Sequence, residues 1–170
     1  MDSKPPFRIL VVDDDPAICE LLTAKLRFSG FAAQSCTNGE DALKVLSKEK
    51  FDAIISDLNM PGISGLELLG AARRIVPHAA FLIATGVSDV SVGVTAMKQG
   101  AADYLLKPFQ MEAVVVSLRR ALEMKRMEAE LGQYRQHLEN MVEQRTRQLK
   151  AAMQRIELTY DETRCLSACG

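Results

Sequence analysis

Along the first two thirds of the chain, short apolar and β-branched runs alternate with segments whose apolar residues recur every three or four positions. Arg8–Val12, Ala32–Ser35, Ala53–Ser56, Phe81–Ala84 and Asp103–Leu106 predict five strands. Helices fill the intervals. The first is expected to begin at Asp15-Pro16, where an acidic cap and a first-turn proline serve the orphan amides, and to end at Ser29-Gly30. Asn38-Gly39-Glu40 opens the second, while Gly65 falls in the first turn of the third, whose stop is marked by Pro77. Ile18, Leu21, Leu22 and Leu26 recur at helical spacing in the first helix, as do Leu66, Leu69 and Ala72 in the third. This βαβ rhythm predicts an α/β fold: a doubly wound, five-stranded parallel sheet with right-handed crossovers and helices on both faces.

From about Gln110 the pattern changes. No strand signal recurs, and a helical period continues to the end with no proline after Pro108. A heptad frame runs through Ala121, Met124, Leu131, Leu138, Val142, Leu149, Ala152, Ile156 and Leu166, with Glu128, Arg135, Arg145, Thr159 and Thr163 at its remaining seam positions. A single helix of this length would leave that stripe wet, so the expected state is a homodimer through a parallel coiled coil. Gly132 is its weak point, at about 1 kcal/mol relative to alanine. The expected division is a globular domain over residues 7–122 and a helical linker or dimerisation segment over 123–168.

Composition narrows the partners. With 21 basic against 22 acidic side chains and a net charge of -1, nothing announces a nucleic-acid surface. No stretch approaches the roughly 18 apolar residues a membrane span needs, and a soluble, cytoplasmic protein is expected. Cys19, Cys36, Cys165 and Cys169 lack metal-knuckle spacing and a disulfide-rich context, so they read as core or surface thiols. His78 follows Pro77 in a turn and His137 lies on the long helix, where neither is placed for strand-end chemistry.

The candidate chemistry is at the strand ends, where open α/β sheets place it. Ile9-Leu10-Val11-Val12 runs into Asp13-Asp14-Asp15-Pro16, and Asp57 closes the third strand. Three like charges at Asp13, Asp14 and Asp57 would repel unless a cation joined them. Mg²⁺ suits them, because it takes oxygen ligands and binds through one or two carboxylates plus a phosphoryl group. Thr85 follows the fourth strand and Lys107 the fifth: a hydroxyl and an ammonium suited to phosphoryl oxygens. The Lys107-Pro108 bond is of the kind that can adopt cis. Each residue alone has an ordinary structural explanation; their joint placement carries the argument.

The runs Ile9–Pro16, Asp57-Leu58-Asn59-Met60-Pro61-Gly62-Ile63-Ser64-Gly65, Ala84-Thr85-Gly86 and Asp103–Phe109 resemble the CheY-like receiver domain of two-component response regulators over about residues 7 to 122. The resemblance implies a flavodoxin-like strand order of 2-1-3-4-5. It implies that Asp57 accepts a phosphoryl group from the phosphohistidine of a sensor histidine kinase or phosphotransfer protein. Asp14 would ligate Mg²⁺ directly, Asp13 through water, and Asn59 by its backbone carbonyl. Thr85 and Lys107 would hold phosphoryl oxygens, with Tyr104 the aromatic that turns inward when Thr85 moves. The Val87–Tyr104 surface and the helix after Pro108 would carry the readout, and Asn59 and Val87 would tune hydrolysis. Two positions depart from the family pattern: Asp15 stands where glutamate is common and Gly86 where alanine is common. Leu138–Leu149 and Ile156–Thr163 are similar to the connector preceding HD-GYP cyclic-di-GMP phosphodiesterase domains, although no HD or GYP residues are present.

Other readings make different demands. A haloacid-dehalogenase-like phosphatase would want a carboxylate two residues after its nucleophile, where Asn59 stands. A flavodoxin-like FMN module would want a hydroxyl-rich first loop, and acidic residues there repel phosphate. A phosphorylation-independent dimeric adaptor predicts normal folding with an inert Asp57. The reading taken is a phosphoacceptor regulator with no enzyme activity beyond its own phosphoryl transfer and dephosphorylation.

Overall fold

The computed structural model describes residues 5–86 and 90–168. Strands β1 (Arg8–Val12), β2 (Ala32–Cys36), β3 (Ala53–Asp57), β4 (Ala80–Thr85) and β5 (Asp103–Leu106) alternate with helices α1 (Pro16–Phe28), α2 (Gly39–Lys48), α3 (Gly65–Ile75) and α4 (Val90–Lys98), and α5 (Met111–Ser167) follows. The sheet is parallel throughout, in the expected order β2-β1-β3-β4-β5.

Local chemistry explains where the helices start. The Asp15 carboxylate accepts the Ala17 amide at 2.9 Å ahead of Pro16, and Asn38 accepts the Asp41 amide at 2.7 Å. Ser64 and Glu67 form a reciprocal capping box on α3. The Ser-x-x-Glu signature for that box stands in the sequence, although the expectation above had rested on Gly65 alone.

Successive strand residues face opposite sides of the sheet, and each side has its own core. Ile9, Val11, Ile55 and Leu82 pack with Leu22 and Leu26 of α1 and with Val114 and Leu118 of α5. Leu10, Val12, Ile54 and Ile83 pack with Leu46 of α2, Leu68 and Leu69 of α3 and Ala96 of α4. Burial of each such side chain contributes roughly 1.5–3 kcal/mol, which offsets the cost of ordering the loops at the strand ends.

Two expectations need correction. Leu21 is 51% exposed, because it falls one position off the stripe that Leu22 and Leu26 present to the sheet. Ala121 is buried in the core with Leu122, so the first position of the heptad frame packs on the globular domain and is not a coil position. The first compact unit ends at Met127 and the second begins at Glu128. Within the second unit the chain is helical through Ser167, and Leu131, Tyr134, Leu149 and Ile156 are exposed. The described residues contain no helix long and apolar enough to cross a membrane.

Candidate functional site: an acidic cluster at the strand ends

Register brings the site together. Val12 pairs with Ser56, so Asp13 follows β1 beside Asp57 at the end of β3, and Asp57 pairs with Ala84. The Leu58 amide donates to the Ala84 carbonyl at 2.8 Å, and the Lys107 amide donates to the Thr85 carbonyl at 2.8 Å. The loops after β3, β4 and β5 are thereby tied by backbone bonds between residues distant in sequence.

One carboxylate oxygen from each of Asp13, Asp14 and Asp57 falls within 4.8 Å of the others. Asp13 and Asp57 are buried, at 2% and 7% exposure, whereas Asp14 faces solvent. The cation among them is Lys107. Its Nζ lies 2.8 Å from Asp13 Oδ2 and 3.0 Å from Asp57 Oδ1. Burial opposes the ammonium charge, but the hydrogen bonds to Asp13 and Asp57 outweigh it and raise the lysine above its usual range. Asp13 Oδ1 accepts the Asp15 amide at 2.9 Å, so both Asp13 oxygens are engaged. All donors in the cluster are hard carboxylate oxygens, which fits Mg²⁺ or another divalent cation taking oxygen ligands.

Burial pushes the Asp57 carboxyl above the ordinary carboxylate range; the Lys107 hydrogen bond pulls it back, and Asp13 and Asp14 push it further up. A raised folded-state value means that the stability carried by protonated Asp57 is present below the ordinary aspartate pKa and is lost as pH rises through the raised one. Asp57→Asn removes that loss. The variant is therefore expected to melt above the parent, by a margin that grows as pH rises above the ordinary aspartate range of about 4; a margin that shrinks as pH rises in differential scanning calorimetry would show that Asp57 is stabilised as an anion.

The other expected residues are placed as follows. Thr85 is fully buried, and its hydroxyl donates to the Gly86 carbonyl at 3.2 Å rather than to a carboxylate. Asn59 is exposed on the loop two residues after Asp57. Tyr104 is half-buried, and a Cβ built on Gly93 of α4 would stand 3.4 Å from its ring. The Lys107-Pro108 peptide is cis. Val87 lies outside the described residues, so the expected tuning role and the start of the Val87–Tyr104 readout surface fall there.

Three residues that the sequence had not assigned to the site support it. Ser56 is fully buried and its hydroxyl donates to the Asp57 carbonyl at 3.0 Å. Cys19 donates its thiol to the Asp13 carbonyl at 3.2 Å, and burial pushes that thiol up, in keeping with a core cysteine. Gly65 approaches so closely that a Cβ there would lie 2.3 Å from the Asp57 carbonyl oxygen. The glycine signal in that loop was visible; which backbone atom it meets was not.

Residues 9–119 match the response regulator receiver domain. The chain belongs to that family, and with Asp13, Asp14 and Asp57 gathered it is a phosphoacceptor receiver of two-component signalling. It is 44% identical over 108 residues to the response regulator protein FleR of Pseudomonas aeruginosa, covering 64% of this chain and 23% of FleR. It is 37% identical over 117 residues to the response regulator MprA of Mycolicibacterium vanbaalenii, covering 69% of this chain and 51% of MprA. The match thus spans about a quarter and about half of these two relatives. The crystal structure of an adenylate cyclase from Rhodopirellula baltica superimposes with a TM-score of 0.73 at 29% identity, covering 77% of this chain and 98% of that one.

Proposed function

We propose that Asp57 takes a phosphoryl group from the phosphohistidine of a sensor histidine kinase or phosphotransfer protein, and that the signal leaves through α5. The observation that carries this is Lys107, whose ammonium bridges Asp13 and Asp57 at 2.8 and 3.0 Å and so stands beside the oxygen that attacks phosphorus. An Asp57 carboxylate oxygen bonds to phosphorus as the nitrogen–phosphorus bond of the donor breaks, and the electron pair leaves with the imidazole. Lys107 then moves its ammonium from the carboxylates to a phosphoryl oxygen. The Thr85 hydroxyl exchanges the Gly86 carbonyl for another. Water later attacks the acyl phosphate, restoring the carboxylate and releasing inorganic phosphate. Mg²⁺, held by Asp14 and Asp57, by the Asn59 carbonyl and through water by Asp13, would supply charge neutralisation on the transferring group.

Phosphorylation adds local charge, so a signal needs two states that it biases differently. Half-buried Tyr104 against α4 is the element suited to that role, with Thr85 as its trigger. The second unit is read as a dimeric coiled coil and a connector toward an output domain. Support comes from its exposed apolar residues and from its similarity to the connector of HD-GYP regulators. If the coil alone drives association, the chain cut after Met127 is expected to be monomeric in analytical ultracentrifugation; a persistent dimer would assign association to the globular unit.

The function is tested by intact mass after incubation with Mg²⁺ and a small-molecule phosphodonor. A single acyl-phosphate adduct is expected. No adduct under conditions that modify another receiver would leave the inert dimeric adaptor.

A further inference from the structure

The apolar side chains of the second compact unit do not follow one unbroken seven-residue repeat. Leu131, Tyr134, Leu138 and Met141 succeed one another at intervals of three, four and three, and all are exposed. Continued past Met141, that spacing reaches Arg145 and then Gln148, one position short of Leu149. A second run, Leu149, Ala152, Ile156, Thr159, Thr163 and Leu166, keeps the same alternation of three and four. The two runs join if one repeat, from Leu138 to Leu149, has eleven residues instead of seven, a four-residue stutter. That insertion also brings Val142 beside Met141 on the seam. An unbroken heptad would instead require Glu128 and Arg135 in the seam, where desolvating two charges is unfavourable, whereas Arg145 falls on the seam in either frame.

The side chains of the second run are prepared for a dry contact. The Thr159 hydroxyl donates to the Arg155 carbonyl at 2.8 Å and the Thr163 hydroxyl donates to the Thr159 carbonyl. Both hydroxyls are satisfied within their own helix, which leaves methyl groups for packing. Ile156, Thr159, Tyr160 and Thr163, with Arg155 at the edge, line an open concavity. Positions i, i+3, i+4 and i+7 form the hole that receives a knob from a facing helix.

We propose that this face is covered by a second copy of the chain, parallel and in register, in a coiled coil that carries one stutter between Leu138 and Leu149. The inference rests on the dimer reading above and adds its seam. Charge complementarity supports this arrangement: from Leu131 onward Glu130 faces the second copy's Arg135, Arg155 stands beside the second copy's Tyr160, and no like charges face one another at the flanking positions. Eleven residues over three turns is about 3.67 residues per turn, close to the 3.6 of a straight helix, so the left-handed supercoil relaxes at the stutter. A change of twist arriving along the helix is absorbed or passed on there.

The test uses the full chain in a Cys165→Ser, Cys169→Ser background, with Tyr134→Cys, Arg135→Cys or Ala152→Cys added singly. Disulfide trapping under mild oxidation is read beside the oligomeric mass of each variant before oxidation. The stuttered seam predicts self-trapping at 134 and 152 and little at 135. Trapping at 135 in preference to 134, with a dimeric mass, restores the unbroken heptad and overturns the stutter while the dimer stands. A dimeric mass with no trapping at 134 or 152 overturns the parallel register. A monomeric mass in every variant and in the parent removes the dimer itself, and the seam with it.

Discussion

Asp57→Asn is expected to abolish the phosphoryl adduct completely while leaving the protein folded. A neutral amide oxygen is a far weaker nucleophile than a carboxylate, and the neighbouring acids do not replace it. Asp13 has one oxygen on the Asp15 amide and the other on Lys107, and Asp14 faces solvent. Folding is spared because β3 is paired on both sides, to β1 as far as Ser56 and to β4 at Asp57 itself, and because the lost charge is one that burial opposes. The measurement is intact mass at neutral pH with Mg²⁺ and phosphodonor, beside a thermal melt. An adduct that survives in the variant would move the nucleophile to another residue. Loss of the adduct together with a collapsed melt would show that Asp57 acts through the fold.

Gly65→Ala is expected to damage stability and phosphorylation together, although residue 65 carries no chemistry. A Cβ there would meet the Asp57 carbonyl oxygen at 2.3 Å, Leu58 Cα at 2.9 Å and the Asp57 carbonyl carbon at 3.1 Å. All three are backbone atoms in the chain that presents the nucleophile, so no side chain can rotate away. The Gly65 amide also donates to the Leu58 carbonyl at 2.9 Å, closing the loop over the site. Overpacking of this kind costs about 1–3 kcal/mol. For a unit of this size that is a fall of several degrees in melting temperature, on the order of 3–10 °C. The Asp57 carboxylate moves with its backbone, and a displacement of about 1 Å at a reacting group lowers rate by roughly 10²-fold. Calorimetry and the initial rate of adduct formation check both arms. A normal rate in a destabilised variant would separate the loop from the positioning of Asp57.

Both predictions concern residues that the sequence had placed correctly along the chain and incompletely in space. Asp57 was legible as a strand-end carboxylate because an apolar run and a Pro-Gly turn bracket it, and such signals are local. Gly65 was legible only as a first-turn residue of α3. That its α-carbon abuts the Asp57 carbonyl depends on how α3 enters over the end of β3. Lys107 was assigned to phosphoryl oxygens. Its contacts with Asp13, 94 positions away, and with Asp57 became visible only when β1, β3, β4 and β5 were laid side by side.

The sequence by itself determined the five strands, the caps that start α1 and α2, and the residues delivered to the strand ends. Periodicity and capping act over a few neighbouring positions, so the residues concerned are adjacent in the chain. Only the tertiary structure decided that Leu21 turns to solvent, that Ala121 belongs to the globular core, that Asp57 is buried enough to resist ionisation, and that one lysine holds two of the three acidic groups. These depend on strand order, helix rotation and desolvation, which arise from contacts between segments that no local pattern encodes.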